Sequence, residues 1–245
     1  MSVWFCIPSA RPAAEAEPVF EQWQRMGYRV AVLRQGEAVK HTDIQISTPT
    51  YKGWARSINK LVKTILKHDE DVDWAVSGGD DTLPDPDHTA EEIAAECSNY
   101  FSTRALLRGL SSDAEFAKGC PGPKAATMGV MQPTGDLRAW PNSRIDTFAG
   151  SPWLGREWCR RAYGGNGPLF AGYHHCWADE ELQAVAIKLG VFWQREDLTH
   201  AHLHYLRDNR HPPAYAAIIA CDYSDSRALF EQRKAAGWPG SEPIL

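Results

Sequence analysis

The stretch that most constrains the fold is Val72–Asp87, VDWAVSGGDDTLPDPD. An apolar run, Trp74-Ala75-Val76, reads as a short buried strand, and Ser77-Gly78-Gly79 ends it. Paired acids, Asp80-Asp81, follow at once, and Pro84 and Pro86 block continuation as helix or strand. Two carboxylates therefore stand at the carboxyl end of a strand, the edge where open α/β sheets bind ligands. Hard divalent cations take carboxylate oxygens and bridge them to substrate phosphates. An acid pair after Gly-Gly also makes a plain polar turn. Both readings stand at this point.

The flanking segments alternate strand and helix. Val3–Ile7 reads as a first strand, ended by the loop Pro8-Ser9-Ala10-Arg11-Pro12. Ala13–Met26 carries Val19, Phe20, Trp23 and Met26 near helical spacing, and Gly27 fits a stop. Tyr28–Leu33 is a second strand, which opens a parallel α/β sheet. Asp43–Ser47 is a weaker strand. Ala55–Lys67 is an amphipathic helix with Ile58, Leu61, Val62, Ile65 and Leu66 on its apolar face. Its other face carries Arg56, Lys60, Lys63 and Lys67. Those cations form a solvated face, or Arg56 or Lys60 near the helix start faces a phosphate.

Beyond the acid pair, His88–Phe101 reads as a helix with Thr89 as its cap. Leu106–Lys124, with its glycines and prolines, reads as a flexible loop and a candidate lid. Strands are expected at Thr127–Gln132, Arg144–Phe148 and Val191–Gln194. Helices are expected at Ser151–Tyr163, from Ala178 to about Leu189, and at Ser224–Ala236. Ala214–Cys221 fits either strand or helix.

A chain of 245 residues buries one substantial core. No run approaches the roughly 20 apolar residues of a membrane span, and the N-terminus reads as a strand, not a leader. The expected location is cytoplasmic. Six scattered cysteines, none in a CxxC pair, suit neither a zinc site nor a disulfide framework. The net charge of -5 gives no global attraction to nucleic acid. Ten tryptophans suit a core and equally the aromatic faces of a sugar cleft.

Two further constellations carry chemistry. Asp179-Glu180-Glu181 stands at a helix start, where acids complement the helix dipole. One of them also suits a general base taking a proton from an acceptor hydroxyl. His200, His202 and His204 alternate along an extended segment. One neutral imidazole among them suits a shared site with carboxylates on a transition metal.

The order of these motifs resembles the nucleotide-sugar glycosyltransferases of the GT-A fold, and among them the inverting family 2 group. The strand into Pro8-Ser9-Ala10-Arg11 resembles that family's first strand and nucleotide loop. Gly53-x-Ala55-Arg56-x-x-Asn59 resembles its glycine–alanine–arginine–asparagine helix start. Ser77-Gly78-Gly79-Asp80-Asp81 stands where the family has its metal-binding DxD-type motif. Gly155-Arg156-Glu157 resembles the segment opening the acceptor-side helix. Ala178-Asp179-Glu180-Glu181-Leu182 resembles the segment whose Asp is the catalytic base. The similarity covers roughly residues 3–194.

The resemblance implies a mixed, mainly parallel central sheet flanked by helices. It implies one domain over 1–245, with a nucleotide-binding half at 1–105 and an acceptor-binding half at 125–245. It implies transfer of a sugar from a nucleotide-diphosphate donor to an acceptor hydroxyl, with inversion, dependent on Mn2+ or Mg2+. Asp179 is then the base, and Asp81 with His202 or His204 holds the metal. Pro8, Ser9, Arg11, Arg56, Lys60 and Asp80 face the donor. Trp153, Arg156, Glu157 and Glu180 lie on the acceptor side.

Three departures qualify it. Arg34-Gln35-Gly36-Glu37 replaces the family's acid pair after the second strand. Gly79 replaces the first acid of the DxD-type motif, and Ala178 precedes Asp179 where the family has Glu. The acceptor stays open among a polysaccharide, a protein and a modified base in DNA. The Lys52–Lys67 cations give the last some local support. Two rival readings are a nucleotidyltransferase, which needs a glycine-rich basic signature after the first strand, and a non-catalytic carbohydrate-binding protein.

Overall fold

The computed structural model describes residues 1–109, 126–138, 150–203 and 216–244. The expected strand Arg144–Phe148, His204 and most of the expected loop 106–124 lie outside them.

The elements run β1 (Ser2–Ser9), α1 (Ala13–Arg25), β2 (Arg29–Arg34), β3 (Ile44–Ser47), α2 (Trp54–His68), β4 (Val72–Ser77), β5 (Thr82–Leu83) and α3 (Ala90–Gly109). They continue as β6 (Val130–Pro133), α4 (Gly135–Arg138), β7 (Trp153–Gly155), α5 (Arg156–Gly165), α6 (Ala178–Lys188), β8 (Phe192–Arg195), β9 (Ala201–His202) and α7 (Ala216–Ala235). Seven strands form one sheet in the order β3-β2-β1-β4-β7-β6-β8. β7 alone runs against its neighbours β4 and β6. The other recorded pairings in this sheet are parallel. The expected mixed, mainly parallel sheet flanked by helices is the observed architecture.

Both faces of this sheet are covered, so its central strands read as continuous apolar runs. Along β1, Val3, Phe5 and Ile7 point to one face, with Phe20, Trp23, Ile93 and Cys97 of α1 and α3. Trp4 and Cys6 point to the other, with Ile58, Leu61 and Val62 of α2 and with α5, α6 and Phe230 of α7. Trp4, Trp23, Trp74, Trp153 and Trp158 are fully buried and Trp177 and Trp238 nearly so, so seven of the ten tryptophans build core. Cys6, Cys97 and Cys159 are free buried thiols and Cys176 is a half-buried one. No helix among the described residues is long and apolar enough to cross a membrane.

Three expectations change. Residues 106–109, expected to open a flexible loop, are the last residues of α3. The helix expected over Ser151–Tyr163 divides, because Trp153 and Leu154 bury into opposite cores as a strand does. α5 therefore begins only at Arg156. The segment Ala214–Cys221, open between strand and helix, is helical from Ala216 and continuous with the expected terminal helix. Thr89 caps α3 as expected: its hydroxyl accepts the Glu92 N–H, while the Glu92 carboxylate accepts the Thr89 N–H at 2.8 Å. That is a capping box.

Candidate functional site

Strand direction decides which residues can meet. β1, β2, β3, β4, β6 and β8 all point one way, so the turns that leave them share one edge of the sheet. Those turns carry Arg11, Asp80-Asp81 and Asp136, and the segment after β8 carries His202. α6 leads through Gly190 into β8, so its first turn, with Asp179, lies toward that edge as well.

At its centre Arg11 bridges the acid pair. Its Nε donates to Asp80 Oδ1 at 2.7 Å and its Nη2 to Asp81 Oδ2 at 2.8 Å. His202 Nε2 lies 3.2 Å from the other Asp81 oxygen. Asp81 is only 5% exposed, with one oxygen on Arg11 and the other on the His202 ring. Backbone pairing fixes this: β5 runs antiparallel to β9 with Thr82 opposite His202, and the Leu203 N–H donates to the Asp81 carbonyl. The Asp136 carboxylate accepts the His202 N–H at 3.0 Å. A Cβ on Gly79 would run into the Asp81 carboxylate. The acid missing from position 79 is thus one that the observed Asp81 conformation leaves no room for.

Asp85 holds the two strands of this small sheet in register. Its buried carboxylate accepts the N–H groups of Asp87 and His88 at 3.0 Å and that of Thr199 at 2.7 Å. Burial pushes its pKa up, but the Thr199 N–H and the His88 ring outweigh it and hold the carboxyl below its ordinary value. Sequence reasoning missed Asp85, although its place between two prolines after the acid pair marked it as a turn acid.

The three alternating histidines have different fates. His200 is buried among Trp23 and Trp153. The Trp153 Nε1–H donates to its Nε2 and Ser151 lies 2.8 Å from its Nδ1. Burial depresses its pKa to about 3, so it is a neutral core histidine. His202 faces Asp81, and His204 lies outside the described residues.

The nucleotide-loop candidates are held from below. The buried Arg34 donates to Ser9 Oγ at 2.8 Å and to the carbonyls of Arg11 and Glu37. The Arg34 that stands in place of an expected acid therefore fixes the backbone of Pro8–Arg11. Its signal in the sequence was a lone cation closing an apolar strand.

The basic-helix motif does something the sequence did not disclose. Gly53 has φ +101° and sits against the His174 carbonyl, where a Cβ would collide. Arg56 Nε donates to the Ala171 carbonyl at 2.9 Å, and the Asn59 amide exchanges two hydrogen bonds with the Leu169 backbone. All three dock the loop that leads into α6. Lys60 is exposed on the same helix.

The same loop is tied from α7, where Asp222 accepts the N–H groups of His175 and Cys176 at 2.9 Å. Tyr51 meets His175 Nδ1 at 2.8 Å. Burial lowers the His175 pKa, against the pull of the Asp179 and Asp222 carboxylates. Burial, with Asp222, Asp179 and Glu180 nearby, pushes the Cys176 thiol up to about 12. Trp177 then turns with φ 72° into α6, whose first turn holds half-buried Asp179 and Glu180. The next acid, Glu181, is fully buried in a two-pronged ion pair with Arg233 at 2.7 Å and accepts from Tyr173 at 2.8 Å. Of the three acids, Glu181 is therefore structural.

The expected acceptor-side residues do not join this group. Trp153 is fully buried core. Because β7 runs backwards, α5 starts at the opposite edge of the sheet, and Arg156 donates there to the carbonyls of Glu70 and Val72. Glu157 is buried beside Arg160 at 3.4 Å. Glu180 is the one of the four that shares the turn of Asp179.

No known family model matches the chain, and no curated protein matches its sequence. Among solved structures, the chain is similar to a mutant of Drosophila β-1,4-galactosyltransferase 7 in complex with manganese, UDP-Gal and xylobiose. The identity is 14%, covering 87% of this chain and 76% of that one, with a TM-score of 0.45. It is also similar to a putative glucose-1-phosphate thymidylyltransferase from Bacillus anthracis in complex with sucrose. There the identity is 9%, covering 85% of this chain and 94% of that one, with a TM-score of 0.40.

Proposed function

We propose that this protein is a metal-dependent glycosyltransferase that moves a sugar from a nucleotide-diphosphate donor to an acceptor hydroxyl with inversion. The observation that carries the reading is the cluster of Arg11, Asp80, Asp81 and His202 at the sheet edge toward which Asp179 opens α6.

The residues present fit a Mn2+ or Mg2+ ion. A carboxylate oxygen and an imidazole nitrogen already converge at 3.2 Å, and a guanidinium stands in the acid pair as a cation would. Among the described residues no group of three or more His, Cys, Asp or Glu side chains that could hold a metal ion is found. An ion held by one carboxylate and one imidazole would take its remaining ligands from water and phosphate oxygens. Asp81 and His202 would hold it, with Asp80 beside them and His204 as a second candidate imidazole. When bound, the ion neutralises the charge that grows on the departing diphosphate.

The chain's own residues supply the rest. Arg11, on its anchored loop, offers a guanidinium to the diphosphate, and Pro8 and Ser9 shape that loop. Asp179 takes the proton of the acceptor hydroxyl as its oxygen attacks the anomeric carbon and the bond to the diphosphate breaks. Glu180 lies beside it for the acceptor. Arg56 reaches the loop before α6 and positions Asp179 through it, while Lys60 is an exposed cation for the donor or a charged acceptor.

The test is a screen of UDP-, GDP- and other nucleotide sugars for Mn2+-dependent hydrolysis or transfer. A released nucleoside diphosphate, lost in Asp81→Ala and Asp179→Asn, is the expected result. Absence of binding and of turnover with every donor would reject the reading. A nucleotidyltransferase would instead release or consume pyrophosphate.

A further inference from the structure

The acid pair is already charged with a counter-ion of its own. Both Asp81 oxygens are engaged, one by Arg11 and one by His202, and Asp81 has almost no solvent-facing surface. Arg11 spans both acids with two different guanidinium nitrogens, a geometry a single point charge does not reproduce. A divalent ion at Asp81 must therefore displace this guanidinium. The backbone of Arg11 stays in place when that happens, because Arg34 grips its carbonyl and Ser9 from the buried side. Only the side chain is released.

We propose that Arg11 and the divalent cation compete for the Asp80–Asp81 pair, and that cation binding hands Arg11 over to the diphosphate. Arg11 faces Asp80 and Asp81 and lies 3.9 Å from Glu15 as well, so the acids outnumber the cation and the cluster repels a diphosphate. A divalent ion offsets that charge and frees a fork of N–H donors within reach of the same spot. Metal and diphosphate binding are coupled through one side chain, and the coupling is reciprocal. This deepens the glycosyltransferase reading and rests on its metal site.

The experiment uses the full chain without any sugar donor. Free Mn2+ is followed by electron paramagnetic resonance while wild type, Arg11→Met, Arg11→Lys and Asp81→Ala are titrated, with circular dichroism confirming folding. Competition predicts that Arg11→Met binds Mn2+ about tenfold more tightly than wild type, with Arg11→Lys in between. Arg11→Met should also bind inorganic pyrophosphate more weakly at saturating Mn2+, the opposite sign to its effect on the metal. A merely structural role would weaken both. Equal Mn2+ affinity in wild type and Arg11→Met would overturn competition while leaving the metal site standing. A wild-type affinity in Arg11→Lys would reject the two-pronged bridge in favour of charge alone. No Mn2+ bound by any variant, or undiminished binding in Asp81→Ala, would remove the metal site itself.

Discussion

At the scale of single residues, two positions show how little freedom the site's surroundings have. Gly53 combines φ +101° with direct contact to the His174 carbonyl. Gly53→Ala therefore strains the backbone and pushes off the loop that leads to Asp179. A loss of about 1–3 kcal/mol is expected, read from the urea midpoint. An unchanged midpoint would mean the contact is soft. Asp85 carries a pH dependence. Its carboxyl is depressed below 3.8 in the fold, so its stabilisation is complete above the ordinary carboxylate range and is lost as the pH falls below it. Asp85→Ala leaves three N–H groups without their acceptor and should cost about 2–4 kcal/mol near neutral pH. The gap to wild type should shrink in acid, and a gap that stays constant down to about pH 3 would contradict this assignment.

At the scale of elements, the helices that serve the site are braced from the C-terminal end of the chain. α7 holds α6 through the buried Glu181–Arg233 pair and the preceding loop through Asp222. Removing one partner leaves a buried charge alone, so Arg233→Ala should cost about 3–5 kcal/mol. The double change Glu181→Leu with Arg233→Met should recover most of it, because a packed apolar pair avoids desolvating two charges. A double variant no more stable than Arg233→Ala would show that the ion pair adds more than its own neutralisation. Much of this was legible in the sequence, and the illegible parts have physical causes. The apolar runs of β1, β2 and β4 and the amphipathic α2 announced themselves because each buries enough residues to show a period. β7 did not, because three residues show no period and a proline before them imitates a helix start. The acid pair was visible as a pair. Its partner Arg11 was not, since 69 positions separate it from Asp80 and only the parallel crossing of β1 and β4 brings them together.

At the scale of the whole molecule, one sheet runs from β3 to β8 and both cores pack against it. The segments 1–105 and 125–245 therefore share one sheet, with β4 of the first paired to β7 of the second. We expect one cooperative transition in thermal unfolding, with near- and far-ultraviolet circular dichroism coinciding. Two resolved transitions would mean that the halves fold as separate domains. In the proposed reaction Asp81 and His202 would hold a divalent ion at this edge of the sheet, and Arg11 would take the diphosphate of the donor. Anomalous diffraction at the manganese edge, from crystals grown with Mn2+ and UDP, tests it most directly. The expected result is one strong peak within coordination distance of Asp81 and His202, with Arg11 turned from the acids toward the diphosphate. Arg11 still clasping Asp80 and Asp81, with no manganese beside them, would contradict it.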